Sequence, residues 1–265
     1  MLPTVSTTVA ETRAAVDGLL SHRILRRRSV EVSGESSLRG ARASAELEGA
    51  PVPLEALRAQ LTTDAPGPAV RETGVAGAIV EGAVRLHAEL GTLLATWERA
   101  PRQALARMHV LAATGRIAPD ELGRPRGTGG APDPLGLGAS PEPAVVAARL
   151  DGLMDLLTTT TSAPALVCYA VVHGELLTLR PFAVASGVVA RAAGRLVLVS
   201  RGLDPKSLTV PEVGHLELRD EYVASARDYA TGSAAGLTGW IAHCGRAVAL
   251  GAREGLAVCE ALARG

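Results

Sequence analysis

Apolar residues recur three and four positions apart through almost the whole chain. Val16, Leu19, Leu20 and Ile24 share one helical face, and Ile79, Leu86, Leu90, Leu93, Leu94 and Trp97 share another. That spacing predicts amphipathic helices, and the strict alternation of a half-buried strand is nearly absent. The stop signals agree. Pro101 stands at a helix start and Gly115 at a helix end, while Gly202 closes the run over 188–201 and Asp204-Pro205 blocks its continuation. The pattern predicts an all-α protein of helices joined by short loops.

One stretch breaks the pattern. Residues 123–143 are rich in Gly and Pro, with too few apolar residues to bury, so an exposed loop or short hairpin is expected between two helical halves. No internal repeat is present. The expected division is an N-terminal helical region over 1–68, a core over 69–210, and C-terminal helices over 211–265 packed on that core.

Composition narrows the function. With 265 residues, 47% of them hydrophobic, the chain can bury a sizeable core. Its formal net charge is zero and its densest basic run, Arg26-Arg27-Arg28, is short. Neither nucleic acid nor an anionic membrane is therefore an expected partner. No apolar run approaches the ~18 residues of a membrane span, and no leader pattern opens the chain, so a cytoplasmic location is expected. Lys206 is the only lysine, Phe182 the only phenylalanine, and Asn does not occur. This bias resembles GC-rich coding, so the many arginines carry little information by themselves. Cys168, Cys244 and Cys259 are odd in number and lack CxxC spacing, which predicts buried free thiols and no metal site. His215 and His243 are isolated from other ligand types and read as ordinary helix or loop residues.

Two short segments carry chemistry. The first is Ser44-Ala45-Glu46-Leu47-Glu48-Gly49, at the end of a helix expected from near Ser29 and stopped by Gly49 and Pro51. The second runs from His173 to Arg191: a helix, a tight turn plugged by Phe182, and a second helix. It is similar to the signature of the Fic (Fido) family, HPFx(D/E)GNGRxxR preceded by H-x-x-F-x-x-I. His173, the apolar Leu176 and Leu179, Pro181, Phe182, Gly187 and Arg191 keep the frame without gaps. Ser44, Glu48 and Gly49 then match the (S/T)xxxE(G/N) inhibitory motif of Fic proteins whose inhibitory helix precedes the core. Met108-His109 and Gly123-Arg124-Pro125-Arg126 loosely resemble the helix and turn before the family's target-binding flap. The resemblance implies the Fic helical fold with an N-terminal helical extension and a Gly/Pro-rich flap-like loop over about residues 30–205.

The resemblance also says what has changed. In the family the motif His is the general base, the motif acid holds magnesium on the nucleotide phosphates, and the Gly-Asn-Gly backbone cradles them. Here those positions read Arg180, Val184 and Ala185-Ser186-Gly187. Arg cannot take a proton near neutral pH, and Val offers a hard cation no oxygen. The first motif arginine is Val188. The second is kept as Arg191, which implies an ion pair with Glu48. The candidate phosphate- or nucleotide-binding residues are thus Arg180, Ser186, Gly187 and Arg191, with Ser186-Gly187 opening a helix whose N–H groups would favour an anion. Ser44, Glu48 and Gly49 are the candidate inhibitory residues.

The leading expectation is a degenerate Fic protein that holds ATP, another nucleotide or a partner protein without the usual AMP transfer or magnesium site. A divergent adenylyltransferase using Glu175 or His173 as base is a second reading, and a helical interaction scaffold without nucleotide binding a third. A homodimer is an assembly the resemblance allows.

Overall fold

The computed structural model describes residues 3–62, 74–127 and 129–264. Among these are eleven α-helices and no strand: α1 (Pro3–Leu20), α2 (Leu25–Leu47), α3 (Leu54–Thr62), α4 (Val75–Arg99), α5 (Pro101–Ala113), α6 (Pro143–Thr158), α7 (Ala165–Leu179), α8 (Ser186–Ser200), α9 (Pro211–Glu217), α10 (Arg219–Ala230) and α11 (Ala234–Arg264). A short 3-10 turn covers Pro119–Glu121. The all-α expectation holds. The expected boundary at 68/69 lies outside the described residues.

The centre is the α7–α8 hairpin. Both helices are apolar nearly all round and buried over most of their length, as a helix enclosed by others must be. α4 and α5 pack against α8 from one side, while α10 and α11 close on α7 from the other. α1 lies along α11 and buries Val16 and Leu19 completely. α2 crosses α4, α8 and α9 and brings its C-terminal end to the start of α8. None of the described helices is long and apolar enough to cross a membrane.

Local chemistry fixes both ends of α2. The helix breaks at Arg28, with φ −123° and ψ 24°, so its regular part resumes at Ser29, the expected start. Arg28 reaches away to donate to the carbonyl of Leu262 at 2.6 Å. At the other end Gly49 takes φ +86°, a left-handed conformation that suits glycine. Ala50 N then donates to Ala45 O and Gly49 N to Glu46 O, both at 3.0 Å, the pattern of a Schellman end. Glu48 is thereby held at the last turn.

The Gly/Pro-rich stretch is irregular, as expected, but it forms no hairpin and is only partly exposed. Arg126 is 9% exposed and Leu135 7%. The Arg126 guanidinium donates to the carbonyls of Arg180 at 2.9 Å, Gly129 at 2.6 Å and Pro141, and its backbone N donates to Pro181 O at 2.7 Å. A loop with little apolar content is folded down because one arginine satisfies several of its carbonyls.

Candidate functional site

The turn between α7 and α8 is built on two residues in left-handed backbone. Arg180 ends α7 at φ +45° and Ala185 precedes α8 at φ +61°, both uncommon for residues with a Cβ. Phe182, buried in the turn, stacks on His109 of α5 with ring centroids 4.1 Å apart. Phe182 N donates to Ser186 Oγ at 3.0 Å, and that hydroxyl donates back to Phe182 O at 3.2 Å. Ser186 makes no side-chain cap on α8, because its hydroxyl closes the turn on itself. His109 Nδ1 accepts from Gly123 N at 3.0 Å, which fixes the tautomer with Nε2 protonated. Burial pushes this imidazole down to about 4, with Arg116 adding to the shift and the Val184 backbone opposing it.

The expected ion pair is present. Arg191 Nη2 lies 2.7 Å from Glu48 Oε1, with the two side chains 1% and 7% exposed. The same guanidinium donates through Nε to Ser44 Oγ at 2.8 Å and through Nη2 to Ser44 O at 3.0 Å. Ser44 and Glu48, one turn apart on α2, thus grip one arginine together. Burial opposes the charge on Arg191, but Glu48 and the nearby Tyr222 outweigh it and raise its pKa above the usual guanidinium value. The carboxylate also covers Gly187, where a Cβ would overlap Glu48 Oε1. The first turn of α8, the favoured position for an anion, already faces one from the chain itself.

Arg180 is turned the other way. Its Nη2 donates to Gly138 O at 2.6 Å and its Nη1 lies 3.2 Å from Asp133 Oδ1, with the guanidinium almost wholly buried. Asp133 in turn accepts from Leu137 N and Gly138 N, each at 2.8 Å. Arg227 of α10 adds a 3.0 Å hydrogen bond to Gly136 O. The loop over 131–137 therefore lies across the turn, and the space left between Glu48, Arg116, Leu135, Arg180, Val184 and Gly187 is about 30 Å³. That is room for about one water, whereas small-molecule sites run to several hundred Å³. Arg116 keeps a buried Nη1 without a hydrogen-bond partner among the described residues, and burial lowers its pKa against the pull of Glu48.

The alternative bases lie elsewhere. His173 is completely buried and shares a 2.8 Å hydrogen bond with the Tyr222 hydroxyl, while Glu175 is bound by Arg149 at 2.5 Å and accepts from Tyr229 Oη at 2.6 Å. Neither lines the cavity over the turn. His215 and His243 are not the isolated residues expected. Glu221 accepts from His243 Nδ1 at 2.8 Å, His215 Nδ1 donates to His243 Nε2 at 2.9 Å, and Tyr169 Oη donates to His215 Nε2 at 2.8 Å. A carboxylate can only accept, so each tautomer follows from the one before it. The chain crosses α10, α11, α9 and α7, which sequence spacing cannot bring together. Cys168, Cys244 and Cys259 are free and buried.

No protein-family model matches the sequence, and no curated protein matches it. Solved structures do. A Fic family protein from Desulfovibrio desulfuricans G20 superposes with a TM-score of 0.74 at 21% identity, covering 97% of this chain and 75% of that one. A fragment of Fic-1 from C. elegans gives 0.69 at 20% identity, covering 98% and 73%. A Fic domain containing signaling protein from Bacteroides thetaiotaomicron VPI-5482 gives 0.65 at 13% identity, covering 96% and 98%. The chain has the Fic fold.

The α7–α8 turn is the segment whose sequence resembles the Fic signature, and Arg180, Ser186 and Arg191 all bind groups of the chain itself. Val184 gives no side-chain oxygen to a metal, and the two carboxylates at the cavity, Glu48 and Asp133, are engaged by Arg191 and Arg180. The residues present do not fit a magnesium ion at this turn. Of the residues that matter here, sequence reasoning found Ser44, Glu48, Gly187 and Arg191 through the paired motifs. It missed Asp133, Leu135 and Arg116, and it gave His109 only as part of a loose resemblance. The available signal was a lone histidine among Leu105, Met108 and Ala112 on one face of α5.

Proposed function

We propose that this Fic-fold protein does not transfer AMP by the family's motif chemistry and instead serves as a regulatory module whose anion pocket is occupied by its own Glu48. The observation that supports this reading is the Glu48 carboxylate, 2.7 Å from Arg191 and directly over Gly187. A phosphate group would seek that same position, since it needs the same guanidinium and the same helix N-terminus. Arg180, at the position of the family's base, cannot accept a proton and faces the loop carbonyl of Gly138. A phosphate of a nucleotide is the proposed ligand, admitted when Glu48 and the loop over 131–137 leave the turn. Arg116 and Arg191 supply positive charge in place of a metal, and a partner protein in the cytoplasm is the proposed reader of that open state.

Calorimetric titration of ATP into the wild type and Glu48→Gly, with and without magnesium, tests this. Glu48→Gly should bind ATP at least about tenfold more tightly than wild type, and magnesium should change that affinity by less than about twofold. Removing one member of a buried pair can cost about 3–5 kcal/mol, so the variant's folded state is checked by thermal unfolding first. Absence of binding in a folded Glu48→Gly protein, or a covalent AMP adduct after incubation with ATP, would overturn the reading.

A further inference from the structure

A second cavity lies away from the motif turn, between α2, α4 and the end of α8. It holds about 620 Å³, within the range of small-molecule sites. Most of its wall is apolar, with Leu38 from α2, Leu90 and Leu94 from α4, and Val199 from α8. One end is polar. His87 and Arg195 meet there against Gly40, where a Cβ would lie 3.0 Å from His87 Cε1 and 2.6 Å from Arg195 Nη1. Ser207 joins them, accepting from Arg195 through its carbonyl at 3.1 Å and its hydroxyl at 3.3 Å.

Two observations at that end point to a ligand. Ser207 is held at φ +52°, and the other two non-glycine residues at positive φ among those described, Arg180 and Ala185, both belong to the motif turn. Strained backbone of this kind persists where surrounding structure enforces it and clusters at binding sites. Finally, Arg195 is balanced by Glu212 at 3.4 Å, whereas Lys206, the only lysine of the chain, lies exposed at the cavity with no acidic partner among the described residues.

We propose that this cavity binds a small organic carboxylate with an aliphatic body. The body lies along Leu38, Leu90, Leu94 and Val199, and the carboxylate lies at the end formed by Lys206 and Ser207. This site shares no residue with the Glu48–Arg191 pocket and does not depend on the proposed function.

Gly34 on α2 and Gly91 on α4 line the cavity, and a Cβ at either meets nothing within 4 Å. Gly34→Leu and Gly91→Phe therefore fill the cavity without disturbing the fold, and replacing glycine within a helix favours the helix. Decanoate, titrated calorimetrically into the full chain below its micelle concentration, is expected to bind saturably. Gly91→Phe and Gly34→Leu should each weaken it by about tenfold or more, and Lys206→Gln by about fivefold. Decanol should bind more weakly than decanoate. Lack of saturable binding, retention of full affinity in both filled variants, or equal affinity for decanol and decanoate would overturn the proposal.

Discussion

Glu48 and Gly187 fit so closely that each limits what the other can be. A methyl group at 187 would overlap the carboxylate that Arg191 and the first turn of α8 hold in place. Gly187→Ala should therefore lower stability by about 1–3 kcal/mol, the usual cost of overpacking a closed site. Glu48→Ala removes the obstruction but leaves Arg191 buried without its carboxylate. In the double variant the alanine at 187 should cost much less than it does alone, giving a coupling of about 1 kcal/mol or more by urea denaturation. Strictly additive effects would show that the carboxylate moves aside easily and is no clamp. The pair could be foreseen because both members sit in short motifs of fixed spacing. Arg116, which also faces the cavity, sits in no such frame.

The loop over 129–141 is an element held by few side chains. Asp133 turns it back on itself and meets Arg180, Arg126 ties its base to the motif turn, and Leu135 is its buried apolar anchor. Asp133→Ala removes both the turn and the ion pair while leaving the helices intact. Segments held by so few contacts open locally, so trypsin should cut the variant at Arg126 about tenfold faster than wild type, with little change in the global unfolding midpoint. An unchanged cleavage rate would mean that Leu135 and Arg227 suffice to hold the loop. At this scale the helices were legible, since Pro101, Gly115 and Gly202 mark local chain geometry and apolar spacing marks the buried face. The docking of the loop was not legible. Arg126 and Leu135 act through partners far along the chain, and neither differs in sequence context from a surface arginine or a loop leucine.

At the scale of the whole molecule, the histidines tie stability to pH. His173 and His215 are completely enclosed and His87 nearly so, and burial first, then neighbouring arginines and histidines, holds each well below its ordinary value. His109 is held at about 4, and His243 is lowered less because Glu221 supports its charged form. The groups around this region are Glu48 on α2, Arg116 after α5, Arg191 and Arg195 on α8, Glu212 on α9, Tyr222 and Glu221 on α10, and Arg246 on α11. Each of the three carboxylates already meets an arginine, Glu48 with Arg191, Glu212 with Arg195 and Glu221 with Arg246, which leaves little to offset added positive charge. The unfolded chain binds protons at these sites from about pH 6.5 downward while the folded chain does not. Their contribution is therefore complete above about pH 6.5 and declines as pH falls toward the folded values, by up to about 1.4 kcal/mol per pH unit for each histidine. The thermal midpoint should drop steeply between pH 6.5 and 4.5. His87→Leu should flatten that slope by about one histidine's share while leaving stability at pH 7.5 nearly unchanged, because His87 has no hydrogen-bond partner among the described residues to lose. A midpoint that stays flat to pH 5 would mean that these imidazoles gain protons without unfolding, and that water reaches the core through which α7, α9, α10 and α11 are joined.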